Sequence, residues 1–181
     1  FFESLFHSAK WTWLFGWLFH FALLLAFFRH LRYATDPVWF WVSWEIVQAA
    51  GHYAAYMMLL GLIGLLVRRI FVDRVRHISA PSDYLILILI IGIALSGLMM
   101  KWYPTDIFAL KQFIIGLIYF SWSELPSDFM LLLHLGLVIL LMVIFPYSKL
   151  LHAPGLFFSP TRNQTDTARD SRHIADWARK L

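Results

Sequence analysis

The chain contains no cysteine. Disulfides, thiolate-ligated iron–sulfur clusters and covalently attached c-type haem are therefore excluded within its 181 residues. Charge is scarce too. Lys, Arg, Asp and Glu make up 14% of the sequence against 60% hydrophobic residues, with a mean hydropathy of +0.67. A soluble domain carries about a quarter charged residues, so these figures exclude one and indicate an integral membrane protein. No internal repeat and no low-complexity segment is visible. Nor is there a charged n-region before the first apolar run, so no signal peptide is seen. Because the chain opens on Phe1 rather than a methionine, a further N-terminal helix is expected to precede it. The net charge of +4 is small and, as shown below, divided by membrane side, which gives no ground for nucleic-acid binding.

What the chain does have is apolar runs of membrane-spanning length. Residues 2–33 read as a first helix, with Lys10 and Trp11 at one interface and Arg29, Arg32 and Tyr33 at the other. Asp36-Pro37 breaks it, and Trp39, Trp41 and Trp44 suit headgroup depth. A second helix runs from about Ser43 to Arg69, where Gly51, Gly61 and Gly64 allow close approach of a neighbour or a flat ligand. Pro81-Ser82-Asp83 starts a third, which reaches about Met100. The apolar part of the next segment, Ile107–Phe120, is too short to span and reads as an interfacial or re-entrant helix. Asp128–His152 is the fourth span, kinked at Pro146. The expected fold is an all-α transmembrane bundle over residues 1–152, followed by a polar tail over 153–181.

Four crossings decide which ends share a side. Lys10, the Arg68–Arg76 loop, Lys149 and the tail fall together and hold eleven of the fifteen Lys and Arg residues. Arg29, Arg32, Lys101 and Lys111 lie opposite. The positive-inside rule places the eleven, and the C-terminus, in the cytoplasm of a multi-pass protein of the cell membrane.

Two of the apolar segments each carry two histidines: His20 and His30 in the first, His134 and His152 in the fourth. Eighteen residues are five whole helical turns, so His134 and His152 are expected on one face of one helix. The first helix runs outward and the fourth inward. His30 then faces His134 near the outer side and His20 faces His152 near the inner side, the arrangement that two bis-histidine b-type haems require. Straight helices do not align both pairs, since ten residues rise roughly 15 Å and eighteen roughly 27 Å. A bend at Pro146, or His152 lying just past the helix end, would absorb the difference. Intramembrane histidines also serve as helix–helix hydrogen-bonding groups or proton relays.

Other residues carry weaker signals. Arg29, Arg32 and Lys149 sit near the histidines and suit haem propionates, although interfacial cations need no haem. Gly16 and Gly136 offer room for a porphyrin. Glu45, Gln48, His52 and Tyr53 cluster in the outer half of the second helix. There Glu45 and His52 are candidates to take protons from a quinol, with a polar lining as the simpler reading. His7, His77 and His173 are expected to be solvated.

The histidine spacings and the segment FPYSKLLH resemble the gamma subunit of respiratory nitrate reductase, a dihaem cytochrome b. The tail sequence Phe158-Ser159-Pro160-Thr161-Arg162-Asn163-Gln164, followed by Arg172-His173 and Trp177, is similar to the cytochrome b subunit of the sulfite-reduction-associated membrane complex. That resemblance implies a menaquinol-oxidising subunit with two b haems on His20, His30, His134 and His152. It further implies electron delivery to a cytoplasmic iron–sulfur subunit related to heterodisulfide reductase. The cytoplasmic tail and the Arg68–Arg76 loop are the expected docking surface for it. Two alternatives stay open: a cytochrome b subunit of a hydrogenase or formate dehydrogenase, whose catalytic partner lies outside, and a haem-free transporter or scaffold.

Overall fold

The computed structural model describes residues 9–103, 105–152, 155 and 158. His7, His173 and the rest of the tail motif lie outside them. Among the described residues up to 151, six α-helices follow one another: α1 Lys10–Ala34, α2 Glu45–Phe71, α3 Asp73–His77, α4 Pro81–Met99, α5 Ile107–Ile118 and α6 Phe129–Ile144. There is no strand among the described residues. Four segments of the described residues are long and apolar enough to cross a membrane: α1, α2, α4 and Phe129–Tyr147. This is a multi-pass, all-helical membrane protein. The chain divides into two units, residues 1–141 and 142–181.

In the first unit α1 and α2 pack tightly, and α4 lies on α2. Their seam is built from Phe19 and Ala22 of α1, Met58 and Leu62 of α2 and Ala94 of α4. Lipid competes for apolar contact, so close packing rather than hydrophobicity must hold such a seam. The glycines of α2 supply that closeness. Gly61 lies against the Phe15 and Phe19 backbone, Gly64 against the Phe15 ring, and Gly51 under the stem of Arg29. The neighbour these glycines admit is α1.

Polar latches close both ends of the α1–α2–α4 group. At one end Arg68 Nε donates to Thr12 Oγ1 at 3.0 Å and Tyr84 Oη to the Arg69 carbonyl at 3.0 Å. At the other, Arg32 donates to Gln48 Oε1 at 3.0 Å, and Lys101 Nζ donates to the His52 carbonyl at 2.9 Å. Arg29, Arg32 and Lys101 therefore share an end, and Lys111 joins them through its 2.9 Å ion pair with Asp36. Arg68, Arg69 and the α3 arginines lie at the opposite end. His77 closes α3, exposed, with Nδ1 2.7 Å from the Asp73 carbonyl.

Local chemistry explains most helix ends. Pro81 opens α4, with the Asp83 carboxylate accepting from the Ala80 N–H at 3.0 Å. Asp106 caps α5 by accepting from the Ala109 N–H at 3.0 Å. With twelve residues, α5 is too short to span. It ends in a reversed turn in which Phe120 takes φ 56° and the Ser121 N–H donates to the Gly116 carbonyl at 2.8 Å.

The fourth span departs from the continuous helix expected over Asp128–His152. The α-helix stops at Ile144 and gives way to two 3₁₀ turns, Phe145–Tyr147 and Lys149–Leu151. Pro146 has no N–H to give and its ring clashes with the carbonyl of Met142, so the α-helical ladder cannot continue. Ser148 is extended, with φ −107° and ψ 165°. Five regular turns therefore do not connect His134 to His152, and His152 lies past the helix end, the second of the two ways given above to absorb the difference in rise.

Candidate haem and quinol site

The first unit brings His30 and His134 together. Their ring centroids are 6.4 Å apart and their planes 16° from parallel. Metal–imidazole nitrogen bonds are about 2 Å long, so two imidazoles on opposite sides of one iron have centroids roughly 6 Å apart. The observed pair fits that span. Among the described residues no cluster of three or more His, Asp or Glu side chains forms. A haem iron needs none, because its macrocycle supplies four nitrogens and the protein only the two axial ones.

Each of the four candidate histidines has Nδ1 within hydrogen-bond reach of an oxygen. The partners are the Gly16 carbonyl for His20 at 2.7 Å, the Ala26 carbonyl for His30 at 2.6 Å and the Lys149 carbonyl for His152 at 3.0 Å. For His134 the partner is Ser96 Oγ at 3.0 Å. A carbonyl can only accept, so in His20, His30 and His152 Nδ1 bears the proton and Nε2 carries the lone pair. His77, in α3, makes the same kind of bond, so the pattern is needed for ligation without being special to it. His20 and His30 are exposed along α1 and His134 is half-buried in α6. A Cβ at Gly16 or Gly136 would meet nothing within 4 Å. His152 belongs to the second unit, where it follows the Lys149–Leu151 turn and is exposed.

Cations gather at the His30 end. Arg29 is half-buried with its stem over Gly51. Arg32 holds Gln48 and lies over the Tyr33 ring at 5.0 Å. Desolvation pushes the Lys101 ammonium below the usual lysine range, and the Arg29 guanidinium adds like-charge repulsion in the same direction. Cations facing each other are what a bound anion relieves. Lys149, in the second unit, is exposed.

Beside this end lies a cavity of about 400 Å³ lined by Arg32, Tyr33, Val38, Ser43, Gln48, Ile107 and Lys111. Tyr33 connects it to the histidine pair, packing edge-on against His30 at 6.0 Å. Of the polar group expected on α2, only Gln48 lines the cavity. Its amide accepts from Arg32 and donates to the Val42 carbonyl at 2.7 Å. Glu45 and His52 are exposed, and Tyr53 packs on the His52 ring. Sequence reasoning missed Ser96, Gly97 and the closeness of Lys101 to Arg29. A serine inside the apolar run of α4 was the one available signal.

The sequence profile of the nitrate reductase gamma subunit family matches residues 4–166. The chain belongs to that family. It is 39% identical to the Hdr-like menaquinol oxidoreductase cytochrome b-like subunit of Archaeoglobus fulgidus and 34% identical to the protein of the same name from Archaeoglobus profundus. Both alignments cover 94% of this chain. The chain spans 55% of the length of each of these curated relatives. Within this family frame His20 and His30 stand in the first of the spanning segments described and His134 in the last, with His152 beyond its end.

Proposed function

We propose that this chain is the dihaem cytochrome b core of a membrane menaquinol oxidoreductase that passes electrons to a cytoplasmic iron–sulfur partner. The carrying observation is the His30–His134 pair, whose 6.4 Å separation suits two axial nitrogens on one iron. His20 and His152 form the second ligand pair. The names of the archaeal relatives support menaquinol as reductant and a partner of heterodisulfide-reductase type. If bound, two b haems would supply one-electron carriers, held by His30 with His134 and by His20 with His152.

The chain's own residues then have separate tasks. Carbonyls of Gly16, Ala26 and Lys149 hold three of the ligand rings in the tautomer that offers Nε2. Arg29, Arg32 and Lys101 neutralise propionates at the outer end, and Lys149 serves at the inner end. The cavity beside Tyr33 takes the quinol head group, with Gln48 and Arg32 hydrogen-bonding its oxygens. Glu45 and His52, exposed on α2, are placed to pass its protons to the outer aqueous side. The C-terminus is cytoplasmic by the charge count, and residues 153–181 with the Arg68–Arg76 loop dock the iron–sulfur subunit of a respiratory, sulfur-metabolising complex.

The test is anaerobic reduction of the purified protein by a menaquinol analogue, followed at the b-haem α-band. Reduction of both haems is expected. Haems reducible by dithionite and indifferent to quinol would contradict the quinol assignment. A tail found on the outer face would favour a hydrogenase-type or formate-dehydrogenase-type partner instead.

A further inference from the structure

His134 differs from the other three histidines in what holds its Nδ1. His20, His30 and His152 use backbone carbonyls three or four residues back in their own chain segment. His134 is held across a helix boundary by the Ser96 hydroxyl of α4, a helix with no candidate ligand of its own. Ser96 is 3% exposed and is the buried polar residue of the described core. Its oxygen also lies 3.0 Å from the Ile93 carbonyl. A hydroxyl has one proton to give and a carbonyl can only accept. The Ser96 proton therefore goes to Ile93, and the Ser96 oxygen accepts from the His134 Nδ1–H. Back-bonding to its own helix is how a serine ordinarily satisfies itself in an apolar segment. That habit accounts for the Ser96–Ile93 bond; the contact of Ser96 with His134, to which the Ile93 carbonyl is also hydrogen-bonded, is additional to it.

The next residue completes the cradle. A Cβ at Gly97 would sit 3.2 Å from His134 Cε1 and 3.5 Å from its Nδ1. Without a side chain there, α4 comes close enough for Ser96 to reach the ring.

We propose that Ser96 is a positioning residue for the outer haem, acting through His134 to set that haem's reduction potential; this rests on the dihaem reading above. An acceptor on Nδ1–H raises the basicity of the coordinating nitrogen and stabilises the oxidised iron. Two acceptors of α4 lie beside the ring, the Ser96 hydroxyl and the Ile93 carbonyl. The hydroxyl is the one that a side-chain exchange removes, so substituting Ser96 on a ligand-free helix retunes one haem alone.

The experiment is a potentiometric titration with a pyridine haemochrome count on the full chain in its membrane complex, comparing wild type with Ser96→Ala, Ser96→Cys and Ser96→Thr. Cysteine keeps the volume with a weak acceptor, and threonine keeps the hydroxyl. Two haems per chain are expected in every variant. One midpoint potential should move upward in Ser96→Ala and Ser96→Cys, while the other stays fixed and Ser96→Thr matches wild type. Unchanged potentials in both the alanine and cysteine variants would overturn the proposal. So would an equal shift in the threonine variant, or movement of both potentials, since each marks a packing effect. If alanine loses the haem through misfolding, the cysteine and threonine pair still decides. Wild-type protein lacking haem would overturn the dihaem reading itself, a result visible in the count before any variant is titrated.

Discussion

Gly61 of α2 faces the Phe19 backbone of α1 so closely that a methyl group there would lie 2.9 Å from the Phe19 nitrogen. The same methyl would lie 2.9 Å from the Phe15 carbonyl oxygen. Both are backbone atoms, so neither can swing aside. This contact sets how α1 lies on α2, and with it the direction in which His20 and His30 are presented.

Gly61→Ala should therefore destabilise the protein by about 1–3 kcal/mol through overpacking, read as a lowered melting temperature in detergent. Gly16→Ala serves as the control, since nothing lies within 4 Å of its Cβ position. In helix propensity alone it should be neutral or stabilising by up to about 1 kcal/mol. If the open space beside Gly16 receives a porphyrin, Gly16→Leu should lower haem content without lowering the apoprotein's melting temperature. Equal melting behaviour of Gly61→Ala and Gly16→Ala would contradict the α1–α2 account.

The spans were legible because run length alone separates a membrane helix from a loop, and the proline of Pro81 and the acid of Asp83 mark where α4 begins. The stripe of Gly51, Gly61 and Gly64 also announced close approach. Its partner did not show, because periodicity gives a face without saying what covers it. His30 and His134 are 104 positions apart, yet topology sufficed to oppose them. The regular five-turn path from His134 to His152 is interrupted for a local reason. Residue spacing counts turns only while the helix is regular, and Pro146 ends that regularity. Ser96 was invisible as a partner of His134, since no pattern within α4 states which of its residues faces α6.

Pro146 can be tested directly. Replacing it with alanine restores an N–H and removes the clash with Met142, a change worth about 3 kcal/mol toward continuing the helix. His152 should then turn away from its present place after the Lys149–Leu151 turn. The expected result is loss or a spectral shift of one haem, with the other intact. Two unaltered haems in Pro146→Ala would show that the 3₁₀ break does not position His152.

Gln48→Leu addresses the cavity. It removes the acceptor of the Arg32 bond and the donor to Val42, and a hydrogen bond to a charged group contributes about 1.5–3 kcal/mol. Quinol-driven haem reduction should slow on the order of tenfold or more, while dithionite still reduces both haems fully. An unchanged quinol rate would place the head group elsewhere.

Truncation after Gly155 removes most of the polar tail assigned to partner docking. Both haems should stay bound and remain reducible by quinol, while electron delivery to the iron–sulfur subunit and co-purification with it are lost. Haem loss on truncation would give the tail a structural role in place of docking.

The most direct test of the central claim is a pyridine haemochrome count with a reduced-minus-oxidised spectrum on wild type and on His20→Ala, His30→Ala, His134→Ala and His152→Ala. The account predicts two b haems per chain in wild type and one in each variant. His30→Ala and His134→Ala should lose the same spectral component, and His20→Ala and His152→Ala the other. A wild-type protein without haem, or two haems surviving all four substitutions, would contradict it and return these histidines to proton transfer or packing.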